Sequence, residues 1–255
     1  MIECGSLDYA QARLLSRHGQ RANEAAWQRL ETAREFAALL DAAAQSPLRP
    51  WVAGLTAASP AHRIEAVLRA HWRERVAELA GWMPPPWRPA LDWCAVLPDL
   101  PLLQHLARGG TSPAWLADDP ELGPLGSAAV SERAAVLAAG PLAPLAGAWA
   151  APDSLGQAWT AEWRRRLPGT PGGRGDSLAT VAQTLQAHAV AFRTAAPGTG
   201  WLLRRALQAR LALLMRRAAL EPAAAFIHLA LCALDGERLR GELLGRVLFP
   251  RPLVP

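Results

Sequence analysis

The residues of this chain that could do chemistry are widely separated and match no catalytic or metal-binding motif. The three cysteines form no CxxC pair and predict free thiols rather than disulfides or a zinc site: Cys4, Cys94 and Cys232. No two of the six histidines lie four residues apart, and the sequence contains no HExxH or G-x-S-x-G pattern. The sequence therefore predicts no metal, no cofactor and no catalytic residue, and we expect the protein not to be an enzyme.

A glycine-rich segment at residues 168–177, PGTPGGRGDS, invites comparison with phosphate-binding loops. It lacks the Lys-Ser or Lys-Thr ending of a Walker A motif, and no strand pattern precedes it. The segment therefore predicts a flexible loop. The acidic pair Asp118-Asp119 is interpreted as a loop or helix-cap pair rather than as a catalytic dyad.

The basic charge of the chain comes entirely from arginine. All 27 basic residues are arginine, against 22 acidic residues, which gives a net charge of +5 and a pI near 10.3. Abundant Ala, Leu, Arg, Pro, Gly and Trp are typical of GC-rich codons, so the high pI alone is weak evidence for a nucleic-acid partner. The arginines at 164–166 and 204–217 predict solvated helix faces or pairing between helices. We expect no nucleic-acid partner and keep an Arg/Trp-rich nucleic-acid binder as the weaker alternative.

The elements that position these residues are predicted to be helices throughout. β-Branched residues and alternating runs are scarce, whereas helical apolar spacing is frequent. Ser59 as N-cap and Pro60 as the first helical residue predict the start of a helix that stops at Gly81, and Thr32 with Glu35 predicts a capping box. Further helices are predicted at 92–96, directly after Asp99, and at 127–139, 153–167, 178–195, 201–219 and 221–247.

An uncharged segment between Arg133 and Asp153 approaches the length of ~20 residues that a membrane span requires. Alanine dominates it, and Gly140-Pro141 and Pro144 interrupt it. We predict a short buried helix followed by a Pro-rich turn. The first seven residues lack the basic and apolar regions of a signal peptide, so we expect that the protein is not secreted.

Three stretches resemble one another and predict an internal repeat. They read DYAQARLLSR, DLPLLQHLAR and DGERLRGELL, and each begins with Asp. A small or aliphatic residue lies four positions after the Asp, and a long polar residue follows it. Asp, Leu and Arg are also common on unrelated amphipathic helices, so chance similarity stays open. We interpret the repeat positions as packing contacts: Asp8, Tyr9, Arg13, Asp99, Gln104, Asp235, Leu239 and Arg240.

The third stretch lies in a segment, residues 221–249, that resembles the last long helix of the d subunit of V-type ATPases. The same family includes the subunit that corresponds to subunit d in the A/V-type ATPases of bacteria and archaea. The matching positions are Pro222, Phe226, Asp235, Leu239, Arg240, Gly245 and Arg246. Residues 9–13 are similar to the family's N-terminal helix, with Gln11 where an asparagine is usual. Residues 90–110 look like its middle module, with Leu102 and Gln104 in place of Asn and Lys.

The resemblance implies an all-α single domain over residues 1–255. Three related helical modules, approximately 1–80, 81–176 and 177–255, would form a pseudo-threefold funnel. The implied function is that of a non-catalytic central-stalk subunit of a bacterial V/A-type rotary ATPase. Such a protein links the central shaft to the membrane rotor ring for proton or sodium transport.

The resemblance also implies the partners and the location of the protein. The partners would be other rotary ATPase subunits, namely the membrane rotor ring and the central shaft, and the membrane would be contacted only indirectly through the ring. The location would be cytoplasmic, peripheral at the cytoplasmic face of the inner membrane. The alternative from another class is a helical scaffold or adaptor unrelated to ATPases.

Overall fold

The structure is a computed structural model that describes residues 6–169 and 175–249, and every regular element within them is helical. The all-α prediction is therefore confirmed for these residues. The α-helices in chain order are α1 (Leu7–Gly19), α2 (Glu24–Thr32), α3 (Phe36–Ala44), α4 (Arg49–Val52), α5 (Ala61–Trp82), α6 (Arg88–Asp92), α7 (Leu100–Ala107), α8 (Gly123–Ser127), α9 (Arg133–Ala139), α10 (Leu155–Arg166), α11 (Gly175–Thr194), α12 (Gly200–Arg217) and α13 (Ala223–Leu248). Short 3-10 helices lie at Pro85–Trp87, Trp93–Asp99, Ala114–Asp118, Ala143–Ala148 and Pro152–Ser154.

These helices group into two compact units. The terminal unit contains the described residues up to Leu91 and from Pro168 onward, and the middle unit is Asp92–Leu167. The predicted modules 1–80 and 177–255 thus both contribute to the terminal unit. The single domain and the pseudo-threefold funnel stay predictions.

The terminal unit is organised around α13. This helix packs against α5 and α12 and also contacts α1, α3 and α11. Its first turns are buried without interruption from Ala223 to Leu229, because small alanines allow neighbouring helices to approach closely. Gly236 serves the same purpose further along, since a Cβ atom there would lie 3.1 Å from the Trp51 ring.

The middle unit is built from short helices held by side-chain contacts with the main chain. Trp93 and Trp159 bond reciprocally, each indole N–H donating to the main-chain oxygen of the other at 3.1 and 3.2 Å. The buried Arg133 donates to the carbonyl oxygens of Leu106 and Gly110, at 3.3 and 2.8 Å. The Leu106 carbonyl lies in the last turn of α7, where the helix dipole favours a cation, and Gly110 follows the end of the helix.

Several predicted boundaries agree with the structure, and two predicted caps are wrong. The helices predicted at 178–195, 201–219 and 221–247 correspond to α11, α12 and α13. Thr32 instead ends α2, where its hydroxyl donates to the Arg29 carbonyl, and Glu35 precedes α3 without a side-chain cap bond. Pro60 rather than Ser59 is the N-cap of α5, because the Ser59 hydroxyl accepts from the Thr56 amide.

The uncharged segment is broken as predicted, but the predicted burial of its helix is wrong, since only Arg133 and Leu137 are buried in α9. The segment contains α9 and then two short 3-10 helices that begin near its prolines. Within the residues that the structure describes, no helix has both the length and the apolar content needed to cross a membrane. Of the predicted loop at 168–177, residues 170–174 lie outside the described residues, as does Cys4. The loop prediction is wrong for residues 175–177, which form the start of α11.

Candidate functional site

A cleft of about 360 Å³ lies in the terminal unit and brings together three arginines, an aspartate, a histidine and a cysteine. Its walls come from α1, the loop before α2, the turn before α4, α5 and α13. Pro47, Pro50 and Trp51 contribute apolar groups to its lining. The charged and polar lining residues include Arg17, Arg21, Arg75, His228, Cys232 and Asp235.

Arg21 and Asp235, which both line the cleft, form an ion pair with two hydrogen bonds. The guanidinium donates from Nε to Oδ2 at 2.7 Å and from Nη2 to Oδ1 at 2.9 Å. Nη2 also donates to the Leu231 carbonyl at 3.3 Å. Both side chains are largely buried, with 13% and 8% of their surface exposed. Burial raises the pKa of Asp235, and the hydrogen bonds and charge of Arg21 oppose that rise. This pair ties the loop after α1 to the middle of α13.

The other two arginines of the cleft share one carboxylate. Arg75 Nη1 lies 2.8 Å from Glu78 Oε2, and Arg17 pairs with the second oxygen of Glu78. Because Arg17 is on α1 and Glu78 is on α5, the carboxylate connects the two helices. Each guanidinium of the cleft therefore already has an acidic partner in the same unit. The arrangement holds helices together and leaves no guanidinium of the three without a carboxylate.

The buried His228 and Cys232 are adjacent in the cleft but are not arranged as a reactive pair. The Sγ atom of Cys232 lies 3.5 Å from Nε2 of His228. Burial, together with the charge of Arg21, lowers the pKa of His228 to about 3. Burial and the charge of Asp235 raise the pKa of the Cys232 thiol to about 12. Both groups are neutral at pH 7, whereas a nucleophilic cysteine requires a thiolate.

We expect the buried thiols of the native protein to react slowly with a thiol-labelling reagent. In a Cys4→Ser variant, Cys94 and Cys232 remain, and burial raises both thiol pKa values to about 12. We expect labelling by an aromatic disulfide reagent at pH 8 to be at least about tenfold slower than after unfolding in urea. The measurement is the absorbance of the released thiolate. Labelling of either cysteine at the unfolded rate would contradict the assignment.

The predicted repeat positions on α1 and α13 lie in the terminal unit. Asp8 is exposed in the first turn of α1, and the Tyr9 amide donates to the Ser6 hydroxyl that caps the helix. The Arg13 guanidinium lies over the Trp82 ring at 5.2 Å.

On α13, the repeat positions contact other helices of the same unit. Asp235 pairs with Arg21, as described, and Leu239 is fully buried. Arg240 Nε donates to Glu65 Oε1 on α5 at 2.7 Å. These contacts are packing and ion-pair contacts.

The two remaining positions lie in the middle unit. Asp99 is 3% exposed at the junction between a 3-10 helix and α7, and Gln104 is half-buried on α7. The three aspartates of the predicted repeat therefore occupy different local structures: a first helical turn, a helix junction and the middle of a long helix.

Sequence reasoning missed the partners of these residues. Arg21, Arg75 and Glu78 carried no motif, and Arg238 was not singled out. The Arg238 guanidinium contacts the rings of both Trp27 and Trp201, at 4.5 Å from each centroid. No local signal could have found these contacts, because Arg21 and Arg238 meet acidic partners 214 and 207 positions away.

A second candidate region is the exposed surface of α11 and α12. Large apolar side chains are solvent-exposed on these two helices, including Leu202 at 65% and Leu213 at 48%. The others on this helix pair are Leu185, Val190 and Phe192. Five of the large apolar side chains that are exposed in the described residues thus lie on one pair of helices, which makes this pair a candidate binding surface.

Neither region has the geometry of a metal centre. Among the side chains that the structure describes, no three His, Cys, Asp or Glu residues are grouped to hold a metal ion. Comparison with protein-family models, with curated proteins and with solved structures finds no match to this chain. The resemblance to V-type stalk subunits therefore rests on the sequence positions given above.

Proposed function

We propose that this protein is a non-catalytic helical adaptor that binds other proteins within a larger complex. The observation that carries the proposal is the set of exposed apolar side chains on α11 and α12. The groups that line the cleft also support a non-catalytic role, because its arginines pair with carboxylates and its buried thiol and imidazole are neutral. An adaptor binds its partners through the shape and composition of its surface and needs no reactive group.

Within this class, the specific proposal is a central-stalk subunit of a V/A-type rotary ATPase. Its support is the sequence resemblance at the start, middle and end of the chain. The positions that resemble the family on α13 make packing contacts, which suits a subunit that transmits torque through a rigid helical body. Such a subunit would couple the shaft to the membrane rotor ring for proton or sodium transport, at the cytoplasmic face of the membrane.

Co-purification tests the specific proposal. The full-length chain with an affinity tag is purified gently from native membranes, and the bound proteins are identified and quantified by mass spectrometry. We expect rotor-ring or shaft subunits in amounts comparable to the tagged chain, and their absence from a purification without the tag. If neither subunit type is recovered, the stalk proposal is overturned. Stable recovery of other partners would leave the adaptor proposal standing.

An adaptor unrelated to ATPases is the second candidate, and one observation favours it. The three repeated aspartates occupy three different local structures, which is not the arrangement expected of three equivalent modules. Among the arginines at 164–166, Arg165 and Arg166 both donate to Glu162, and this acidic partner weakens the nucleic-acid alternative. These bonds, with that of Arg165 the larger, lower the pKa of Glu162 to about 2.

A further inference from the structure

The outer face of α12 carries a narrow apolar stripe. Leu202, Ala206, Ala209 and Leu213 are all exposed and are spaced by four, three and four residues. At about 100° per residue, these four positions share one side of the helix. The buried residues of α12 lie on the opposite side: Leu207, Leu211 and Met215. We call the four exposed residues the α12 stripe.

Arginines flank the α12 stripe on both sides. At the same rotation per residue, Arg205 and Arg216 lie about 50° to 70° to one side of its centre, and Arg210 and Arg217 lie equally far to the other. All four are exposed, and α12 contains no acidic residue. Arg204, by contrast, points toward α13 and pairs with Glu237 at 2.8 Å.

The flanking arginines have no acidic partner within the described part of the chain. The ion pairs described for the terminal unit involve other arginines, and the Arg205 guanidinium lies over the Trp201 ring at 6.0 Å. Four guanidinium groups without an acidic partner among the described residues therefore lie beside an exposed apolar surface. A binding partner with both apolar and acidic groups would complement this surface.

We propose that the α12 stripe docks one amphipathic helix of another protein, with apolar residues on its contact face and Glu or Asp along both flanks. Alternate spacing by four and three residues is the spacing of a helix–helix seam. The two central alanines allow close approach of the partner helix, and the leucines at the ends provide apolar area. The arginines occupy the flanking positions at which opposite charges select a partner. This inference rests on the proposed adaptor function and names the surface and the chemistry of the partner.

The same features disfavour two other occupants. A second copy of this chain that docks α12 against α12 would place arginine against arginine along both flanks, which is repulsive. A membrane surface would gain little from the stripe, because helices that lie in a membrane interface bury a broad face of large apolar side chains. The α12 stripe supplies only two leucines, separated by alanines.

A pair of synthetic peptides tests the proposal on the full-length protein. Both are helices of about three heptads with Leu at the seam positions. One has Glu at every flanking position, and the other has Lys there. Fluorescence anisotropy of the labelled peptide measures binding as the protein is titrated in. We expect the Glu peptide to bind at least about tenfold more tightly than the Lys peptide, with a preference that weakens as salt is added.

Two variants locate the binding surface. Leu213→Glu places a charge on the α12 stripe, and we expect it to weaken binding of the Glu peptide by at least about tenfold. Leu15→Glu is the matched control, because Leu15 is 53% exposed on α1, and we expect unchanged binding. Circular dichroism verifies that both variants retain the helical content of the parent protein.

The remaining outcomes overturn the proposal. Equal binding of the two peptides, or binding unaffected by Leu213→Glu, would show that the stripe is not an acidic-helix site. Vesicles of phosphatidylcholine and phosphatidylglycerol that bind the protein in a Leu213-dependent manner, without peptide binding, would assign the face to a membrane. A dimer dissociated by Leu213→Glu would assign it to a second copy. Each of these results is independent of whether rotary ATPase proteins co-purify.

Discussion

Replacement of Asp235 by alanine is expected to lower the free energy of unfolding by about 3 to 5 kcal/mol. The substitution leaves the guanidinium of Arg21 without its carboxylate partner in a site where only 13% of the arginine side chain is exposed. The cost of a buried unpaired charge therefore exceeds the cost of a lost surface ion pair. Urea unfolding at pH 7, followed by circular dichroism, measures the change.

Two further variants distinguish the buried charge from the loss of packing. The double variant Arg21→Met with Asp235→Leu removes both charges and keeps apolar volume, and we expect it to recover most of the lost stability. Arg240→Ala is the matched control, because Arg240 lies on the same helix as Asp235 and pairs with Glu65 but is 54% exposed. We expect it to cost less than about 1 kcal/mol. A double variant no more stable than Asp235→Ala would contradict the interpretation.

Acid is expected to destabilise the protein through His228. Burial holds its pKa at about 3 in the folded protein, against 6.5 as the ordinary value. The unfolded chain therefore binds a proton that the folded protein excludes between these two pKa values. The stabilising contribution is complete above pH 6.5 and is lost as the pH falls toward 3. Within this range the free energy of unfolding falls by about 1.4 kcal/mol per pH unit. We therefore expect a loss of roughly 2 kcal/mol at pH 5 relative to its value above pH 6.5.

The measurement compares the parent protein with a His228→Gln variant by urea unfolding at several pH values from 7 to 4. Burial also lowers the pKa values of His18, His71 and His188, so the parent protein loses stability in acid from several sites. The difference between the two proteins isolates His228. As the pH falls below 6.5, we expect the free energy of unfolding to fall less steeply for the variant than for the parent protein. Parallel curves for the two proteins over this range would show that His228 titrates normally in the folded state.

The α-helical class could be predicted because it depends on local properties. Alanine, leucine and arginine favour helices, and the boundaries of α11, α12 and α13 follow from apolar spacing that glycine and proline interrupt. Local sequence patterns gave a wrong prediction where two local backbone arrangements are both possible. Thr32 and Glu35 fit a capping box, yet the helix before them extends to Thr32, and its hydroxyl bonds backward to Arg29.

The candidate site could be predicted only in part. Asp235, Leu239 and Arg240 were identified from their spacing, but their partners were not. The Arg21–Asp235 pair joins residues 214 positions apart, and the sequence between them contains nothing that specifies the contact. Such pairs form because the packing of α1, α5 and α13 brings together groups whose burial is tolerated only when they are paired.

The sequence by itself therefore determined the helical class, the principal helices and the arginine-only basic charge. The tertiary structure decided which charges are buried and paired, and which face of α12 is left exposed. Leucines occur on several sides of α12, so its apolar pattern does not show which side packs against α13. Once Leu207, Leu211 and Met215 are buried in the terminal unit, Leu202 and Leu213 must face outward, because they lie on the opposite side of the same helix.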